Sequence, residues 1–182
     1  RVGSVVKKQC NYKNEHFIDY PYSEFKSDFM DVFLLSECEF SIDQNSGIMD
    51  ICTAFRKIRL GVNFIPIEYA PYANKNDLYI PKKLKIEGEY ISLSKYMTMT
   101  NSFMDGFLHK KTYDDLAISV ESNTQEEILE LVKEFFGDIK YENKDIENQK
   151  NYQTIHSKIN QVSQVRTNFG AVYLRKNSWY IA

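Results

Sequence analysis

SDFMDVFLLSECEFSIDQNSGIMD, residues 27 to 50, decides how the rest of the chain is read. Phe29, Val32 and Phe33, overlapped by Met30 and Leu34, recur at three- and four-residue intervals, the spacing of one apolar helical face. Ser27 and Asp28 open that helix, and Asp28 with Asp31 has a capping-box-like spacing that places negative charge in its first turn. Phe40 and Ile42 then alternate with Glu39, Ser41 and Asp43 over too few residues for a helix, so a strand is predicted. Ile48, Ile51, Cys52 and Phe55 restart the helical period. Between strand and helix lies Asp43-Gln44-Asn45-Ser46-Gly47, a turn of small and polar residues that exposes backbone N–H groups at a helix N-terminus. In an α/β sheet such a turn is where an anion, usually a phosphate, is bound.

Working outward, Arg1 to Val6 reads as the edge of a strand, Lys7 to Glu15 as a solvated connection, and Phe17-Ile18-Asp19-Tyr20, closed by Pro21, as a short strand. After the second helix, Leu60, Val62 and Phe64 alternate in a strand over Arg59–Pro66 that the proline ends. Strand and helix in this alternation predict βαβ units and a parallel, Rossmann-like sheet flanked by helices. Ile67 to Lys85 reads as a long loop holding the apolar insert Leu78-Tyr79-Ile80-Pro81, a length more often functional than decorative. Short helices are expected over Ser92–Met97 and Asn101–His109, and a brief strand at Ile118–Val120. Thr124-Gln125-Glu126-Glu127 is a full capping box, and Ile128, Leu131, Val132 and Phe135 continue at helical spacing until Gly137.

Residues 1–140 are expected to form the Rossmann-like lobe, and 141–182 a linker, helix and docking tail. In that tail Ile155, Ile159 and Val162 mark a narrow apolar stripe within a Lys-, Asn-, Gln- and Glu-rich run. Phe (12) and Tyr (13) are spread over every segment, which favours core filling over base stacking.

A chain of 182 residues suffices for one domain with a real core. Because it starts at Arg1 rather than Met, in what reads as mid-strand, a piece of a longer protein is expected. Its net charge of −2 creates no global field pointing to nucleic acid or anionic lipid, and no apolar run is long enough to span a membrane. Cys10, Cys38 and Cys52 form no paired short spacing, so Cys52 is read as a small buried hydrophobe in a reducing, cytoplasmic compartment, with a reactive thiol as the alternative.

No glycine-rich dinucleotide fingerprint, phosphate loop, His-Glu-x-x-His or zinc-type cysteine pair occurs, and His16, His109 and His156 lie in unlike segments. A metal site and a cofactor are therefore not expected. Several polar residues have two readings. The Asn45-Ser46-Gly47 turn is either an ordinary cap or an anion site at a strand's carboxyl end. Asp31 either complements the helix dipole or contacts a ligand; Asn63 faces either water or a crevice; Lys82 and Lys83 are either solvated or within reach of a phosphate.

Ile18-Asp19-Tyr20, Ser27-Asp28-Phe29-Met30-Asp31-Val32-Phe33-Leu34, Cys38-x-Phe40, Ser46-Gly47, Asn63 with Pro66, Asp77-Leu78-Tyr79-Ile80-Pro81-Lys82 and Asn123-Thr124-x-x-Glu127-Ile128, preceded by Arg1-x-Gly3, occur in one order. In that order they resemble a group of bacterial glycosyltransferases related at fold level to the two-lobed GT-B enzymes. The first two blocks are specific, the shorter ones weak singly, and the resemblance covers residues 1 to 136 with a faint echo at 169 to 180.

The resemblance implies the C-terminal, donor-binding lobe of such an enzyme, whose acceptor lobe is the missing N-terminal part. It implies a nucleotide-sugar as substrate, a glycan or protein as acceptor, and a role in bacterial surface-glycan or protein glycosylation. It makes Arg1, Gly3, Asp31, Asn45, Ser46, Gly47, Asn63 and Lys82 candidate donor-binding residues, with Arg1 and Lys82 as counter-charges to the leaving phosphate. The chain departs from the family where small or hydroxyl residues are expected before Ser46: Asp43-Gln44-Asn45 would set a carboxylate beside a diphosphate. Either Asp43 points away, or it binds a ribose or sugar hydroxyl, or donor binding has been lost and the domain is a non-catalytic binding or assembly module.

Overall fold

The computed structural model describes residues 1–3, 6–66, 74–102, 110–160 and 168–182, with the side chains of 100–102 and 156–160 excepted. Four parallel strands, β1 (Phe40–Asp43), β2 (Ile58–Phe64), β3 (Leu78–Pro81) and β7 (Asn168–Phe169), form a sheet in the order β1-β2-β3-β7. The mixed α/β architecture with a parallel sheet flanked by helices agrees with the sequence expectation at that level.

The organising stretch keeps the expected order of helix, strand and helix, but the apolar face read from Phe29, Val32 and Phe33 is exposed, and Leu35 is the buried residue of the first helix. α1 (Asp28–Glu37) is capped by Ser27, whose Oγ accepts the Met30 N–H at 3.2 Å. Ser27 is itself held by the phenol of Tyr20, which accepts the Ser27 N–H and donates to the Ser27 carbonyl, both at 2.9 Å. The spacing of Asp28 and Asp31 therefore marks the first turn rather than a cap. β1 follows, and α2 (Gly47–Ala54) returns the chain to β2, with Met49 and Cys52 on its buried face.

Three expectations are corrected. Phe17–Tyr20 is not a strand: the chain is irregular there and closes in a 3-10 turn over Tyr20–Tyr22. Pro21 fixes φ for that turn, and exposed Ile18 gives the segment no buried face with which to join a sheet. Leu78–Pro81 is not a loop insert but β3, the strand between β2 and β7. All four of its residues are buried, and a strand covered on both faces carries no alternation to betray it. The helix beginning near Ser92 runs on as α3 (Leu93–Ser102). Most of the helix expected over Asn101–His109 lies outside the described residues, as do Ser4 and Val5 of the first expected strand and Val162 of the tail stripe; Arg1 to Gly3 and Val6 are not in a strand.

A second, antiparallel sheet was not anticipated. β4 (Lys83–Ile86) turns through Glu87 and Gly88, both at positive φ, into β5 (Glu89–Tyr90), and pairs on its other edge with β6 (Ile118–Glu121). α4 (Lys110–Asp115) precedes β6, and α5 (Gln125–Phe135) follows it with both halves of the Thr124/Glu127 capping box formed. Gly137, at φ +78°, ends that helix.

α6 (Asn143–Asn160) is a polar helix that nonetheless buries one face. Asp145 pairs with Arg175, Gln149 exchanges hydrogen bonds with the Phe169 backbone, and Tyr152 is fully enclosed. α7 (Ala171–Lys176) starts on the buried carboxylate of Glu134, which accepts the Ala171 N–H at 2.9 Å and the Val172 N–H at 3.2 Å. Tyr152, Phe169, Tyr173 and Tyr180 join Leu60, Val62 and Ile80 in one apolar core, so residues beyond 141 complete the sheet and its packing. Among the described residues, no helix is long and apolar enough to cross a membrane.

Candidate functional site

The carboxyl end of β1 opens into a cleft of about 820 Å³, within the range of small-molecule sites. Its wall is built by four separated segments: Arg1 and Gly3, the Leu34–Leu35 turn of α1, Ile42 and Asp43 of β1, and Ser46 and Gly47 at the start of α2. β1 is the outer strand of the described sheet, so the cleft lies at a strand's carboxyl end but not at a reversal of strand order.

α2 begins with its N-cap residue extended, Ser46 at φ −157° and ψ 160°, and the Ser46 side chain makes no capping bond. The Met49 N–H returns to the Ser46 carbonyl at 3.0 Å, but helix geometry leaves the Gly47 and Ile48 N–H groups without an intrahelical acceptor. They carry the positive end of the helix dipole. A Cβ on Gly47 would meet nothing within 4 Å, so packing does not require the glycine.

Asp43 ends β1 beside this helix start, and its carboxylate is bound by a buried fork. Arg59 Nη2 donates to Oδ1 at 2.8 Å and Nε to Oδ2 at 3.0 Å, while Nη1 donates to Thr53 Oγ1 at 3.1 Å. The Arg59 side chain is completely enclosed and that of Asp43 is 10% exposed. Ser41, two residues earlier on the same face of β1, donates its hydroxyl to Asp43 Oδ2 at 2.7 Å. The charge that looked repulsive toward a diphosphate is thus compensated by a bidentate partner.

Arg1 is likewise committed. Nε and Nη2 fork onto the two oxygens of Asp19 at 2.8 and 2.9 Å, and Nη2 also reaches the Lys8 carbonyl at 2.9 Å. Asp19 additionally accepts the Cys10 N–H at 2.8 Å, tying the N-terminal segment into one unit over the cleft. Arg1 therefore brings directed donors rather than a free charge. Cys52 is 1% exposed, as an inert thiol would be, and burial pushes the neighbouring Cys38 thiol upward, with Cys52 adding to the shift.

The other four candidate residues lie outside the cleft lining. Asn45 donates its amide to the Ile65 carbonyl at 3.2 Å, pinning the turn to the exit of β2. Asp31 is half-buried in the first turn of α1, with Oδ1 lacking a hydrogen-bond partner among the described residues. Asn63, at φ +52°, sits in an irregularity of β2 and exchanges two bonds with Asn123: its N–H reaches Asn123 Oδ1 at 2.5 Å, and its own Oδ1 accepts the Asn123 N–H at 2.6 Å. Asn123 Nδ2 adds a bond to the Pro81 carbonyl at 2.7 Å, so the pair joins the ends of β2 and β3 to the start of α5. Lys82 follows β3 and borders a separate narrow gap with Phe64, Ile65 and Tyr96.

No family model, curated protein or solved structure matches the chain. What the site can do follows from its geometry: a helix start whose first N–H donors have no acceptor within the helix, a charge-balanced carboxylate beside it, and apolar walls for the rest of a ligand. Sequence reading missed Arg59, Thr53 and Ser41 as partners of Asp43. The available signal was an arginine inside an otherwise apolar strand, a position that demands a buried acid.

Proposed function

We propose that the chain is the donor-binding lobe of a GT-B-type glycosyltransferase, moving a sugar from a nucleotide-sugar to a glycan or protein acceptor in bacterial surface-glycan or protein glycosylation. The observation that carries this reading is the cleft itself: Arg1, Gly3, Ser46 and Gly47, separated by more than 40 positions, line one cavity at the carboxyl end of a parallel strand. The unclaimed N–H groups of Gly47 and Ile48 receive the donor diphosphate. As the bond to the anomeric carbon breaks, charge grows on the leaving phosphate, and donors already aimed at it stabilise that state more than the ground state.

Arg1, oriented by Asp19, supplies further directed N–H groups at the cleft rim. The base that takes the acceptor proton belongs to the acceptor lobe in this reading, and none is assigned to the chain. Compensation of Asp43 by Arg59 supports the enzyme over a binding module that has lost its donor, because the carboxylate no longer opposes a diphosphate.

Isothermal titration of UDP, GDP, CMP and dTDP against the protein and its Gly47→Val variant tests the assignment. The valine side chain enters open space, so circular dichroism stays unchanged while affinity for the preferred nucleotide falls at least about tenfold. Equal affinity in the variant would remove the helix start from the site.

A further inference from the structure

All four residues of β1, Phe40 to Asp43, line the cleft. Successive strand side chains point to opposite faces, so a cavity that meets all four runs along the edge of β1 rather than over one face of the sheet. That edge is open, because among the described residues β1 pairs with β2 alone. Alternate residues of a parallel strand turn their N–H and C=O groups to opposite neighbours, so half of the β1 backbone groups face the cleft. The covering layers extend past this edge on both faces. On one, α1 leads into β1 and packs mainly on α2, with no described strand as a principal contact, while its Leu34 and Leu35 line the cleft with Ile48 and Cys52 of α2. On the other, Phe40 meets Phe135 and Phe136 at the end of α5, but Ile42 is 50% exposed and Phe136 57%.

We propose that this edge is the docking site of one further parallel strand, supplied by the same polypeptide outside residues 1–182. Its chemistry follows from the walls. The groove offers backbone donors and acceptors along one side and apolar side chains on both faces, so the strand it takes is a short continuous run of apolar, β-branched residues. Charge does not steer it, since Asp43 is neutralised by Arg59. The source follows from α1. A helix that leads into a parallel strand lies over that strand and the one its crossover left, and no described strand fills the second place for α1. Such a crossover joins strands of one chain, which selects the same polypeptide over a second copy or a foreign peptide. With the strand in place β1 is interior, and the start of α2 opens at the carboxyl ends of two neighbouring strands instead of at the margin of the sheet. The strand takes the apolar floor beside Phe40 and Ile42 and leaves Ser46 and Gly47 open, whether or not a nucleotide binds there.

Amide exchange, read residue by residue without nucleotide on the longest polypeptide whose reading frame contains residues 1–182, tests this. All four β1 amides, Phe40 to Asp43, should be protected to within about tenfold of Leu60 and Val62 in β2, whereas an open edge leaves two of the four exchanging at least about a hundredfold faster. Burial gives a second readout. Ile42→Lys sets a charge at a half-exposed position in residues 1–182 alone and inside a closed sheet in the longer polypeptide. It should leave the Tm of the first within about 2 °C and lower that of the second by about 5 °C or more. Two fast β1 amides in the longer polypeptide, equal Tm shifts in the two, or a reading frame with no chain outside residues 1–182 would overturn the proposal. So would protection that appears only as the protein dimerises, which would place a second copy at the edge. Because no nucleotide is present, each of these results leaves the donor reading to its own titration.

Discussion

Asp77→Asn probes a buried carboxyl group at the amino-terminal edge of the sheet. Asp77 is fully buried; Oδ1 accepts the Arg59 N–H at 2.9 Å, and Oδ2 is enclosed with no hydrogen-bond partner among the described residues. Burial dominates, and although the hydrogen bond from Arg59 opposes it, the acid is pushed up from 3.8 to about 6. The folded state therefore binds the proton more tightly than the unfolded chain. The stabilisation is fully present below pH 3.8 and is lost as pH rises through about 6. At about 1.36 kcal/mol for each tenfold change in proton affinity, the loss is about 3 kcal/mol by neutral pH, an upper figure because some solvent reaches any such site.

Asparagine keeps an oxygen for the Arg59 N–H and cannot ionise. Urea denaturation of both proteins at intervals from pH 4 to pH 7.5 isolates the effect, since every other titrating group cancels in the difference. The stability difference should move in favour of Asp77→Asn by about 2 to 3 kcal/mol across that range, most of it between pH 4.5 and 6.5. The amide's own burial cost adds a constant that does not depend on pH. A difference that stays flat with pH would refute the placement of Asp77 as a buried ionisable group whose Oδ2 lacks a partner among the described residues.

Other outcomes follow from single contacts. Gly61→Ala places a methyl 2.2 Å from Tyr79 Cδ1 between β2 and β3, so it should lower stability by about 1–3 kcal/mol, and Tyr79→Leu in the same chain should recover part of it; thermal melts of the single and double variants decide. Asn123→Ala strands the Asn63 N–H and the Pro81 carbonyl and should cost about 2–4 kcal/mol by urea denaturation, whereas an effect below about 0.5 kcal/mol would mean that the amide pair is not a fastener. Glu134→Ala removes the acceptor for the first two N–H groups of α7 and should cost about 1–3 kcal/mol, with faster amide exchange at Ala171 and Val172 as its local signature.

What the sequence disclosed depended on how local its causes were. α1, β1, α2 and α5 were legible because period, cap and stop lie within a dozen residues; Thr124 to Gly137 contains its entire explanation. β3 was hidden because burial on both faces erased the alternation, and β7 because a two-residue strand is recruited by its neighbours, with Gln149 of α6 holding the Phe169 backbone. Lys83-Leu84-Lys85-Ile86 does alternate, and its charges find Glu121 and Glu127, so β4 was readable in principle. α6 misled for a different reason: its buried face mixes Asp145 and Asn148 with Tyr152 and depends on partners such as Arg175, 30 residues from Asp145.

The site divides the same way. Ser46 and Gly47 were visible as a turn before a helix, but the ion pairs that decide what Asp43 and Arg1 can do span 16 and 18 residues, and no local pattern records them. Asn63 was correctly singled out as polar within an apolar strand, yet its conformation at positive φ and its bonds to Asn123 make it a link between strands and α5.

The most direct measurement is the thermal shift of the protein with UDP, GDP, CMP and dTDP, run in parallel on Gly47→Val. Ligand at about a hundred times its dissociation constant adds about 2.7 kcal/mol, which for a chain of this size raises Tm by roughly 5 to 10 °C. The donor-lobe account predicts a rise of that order with one preferred nucleotide in the wild type and little or none in Gly47→Val. No rise with any nucleotide, or an equal rise in both proteins, would contradict it.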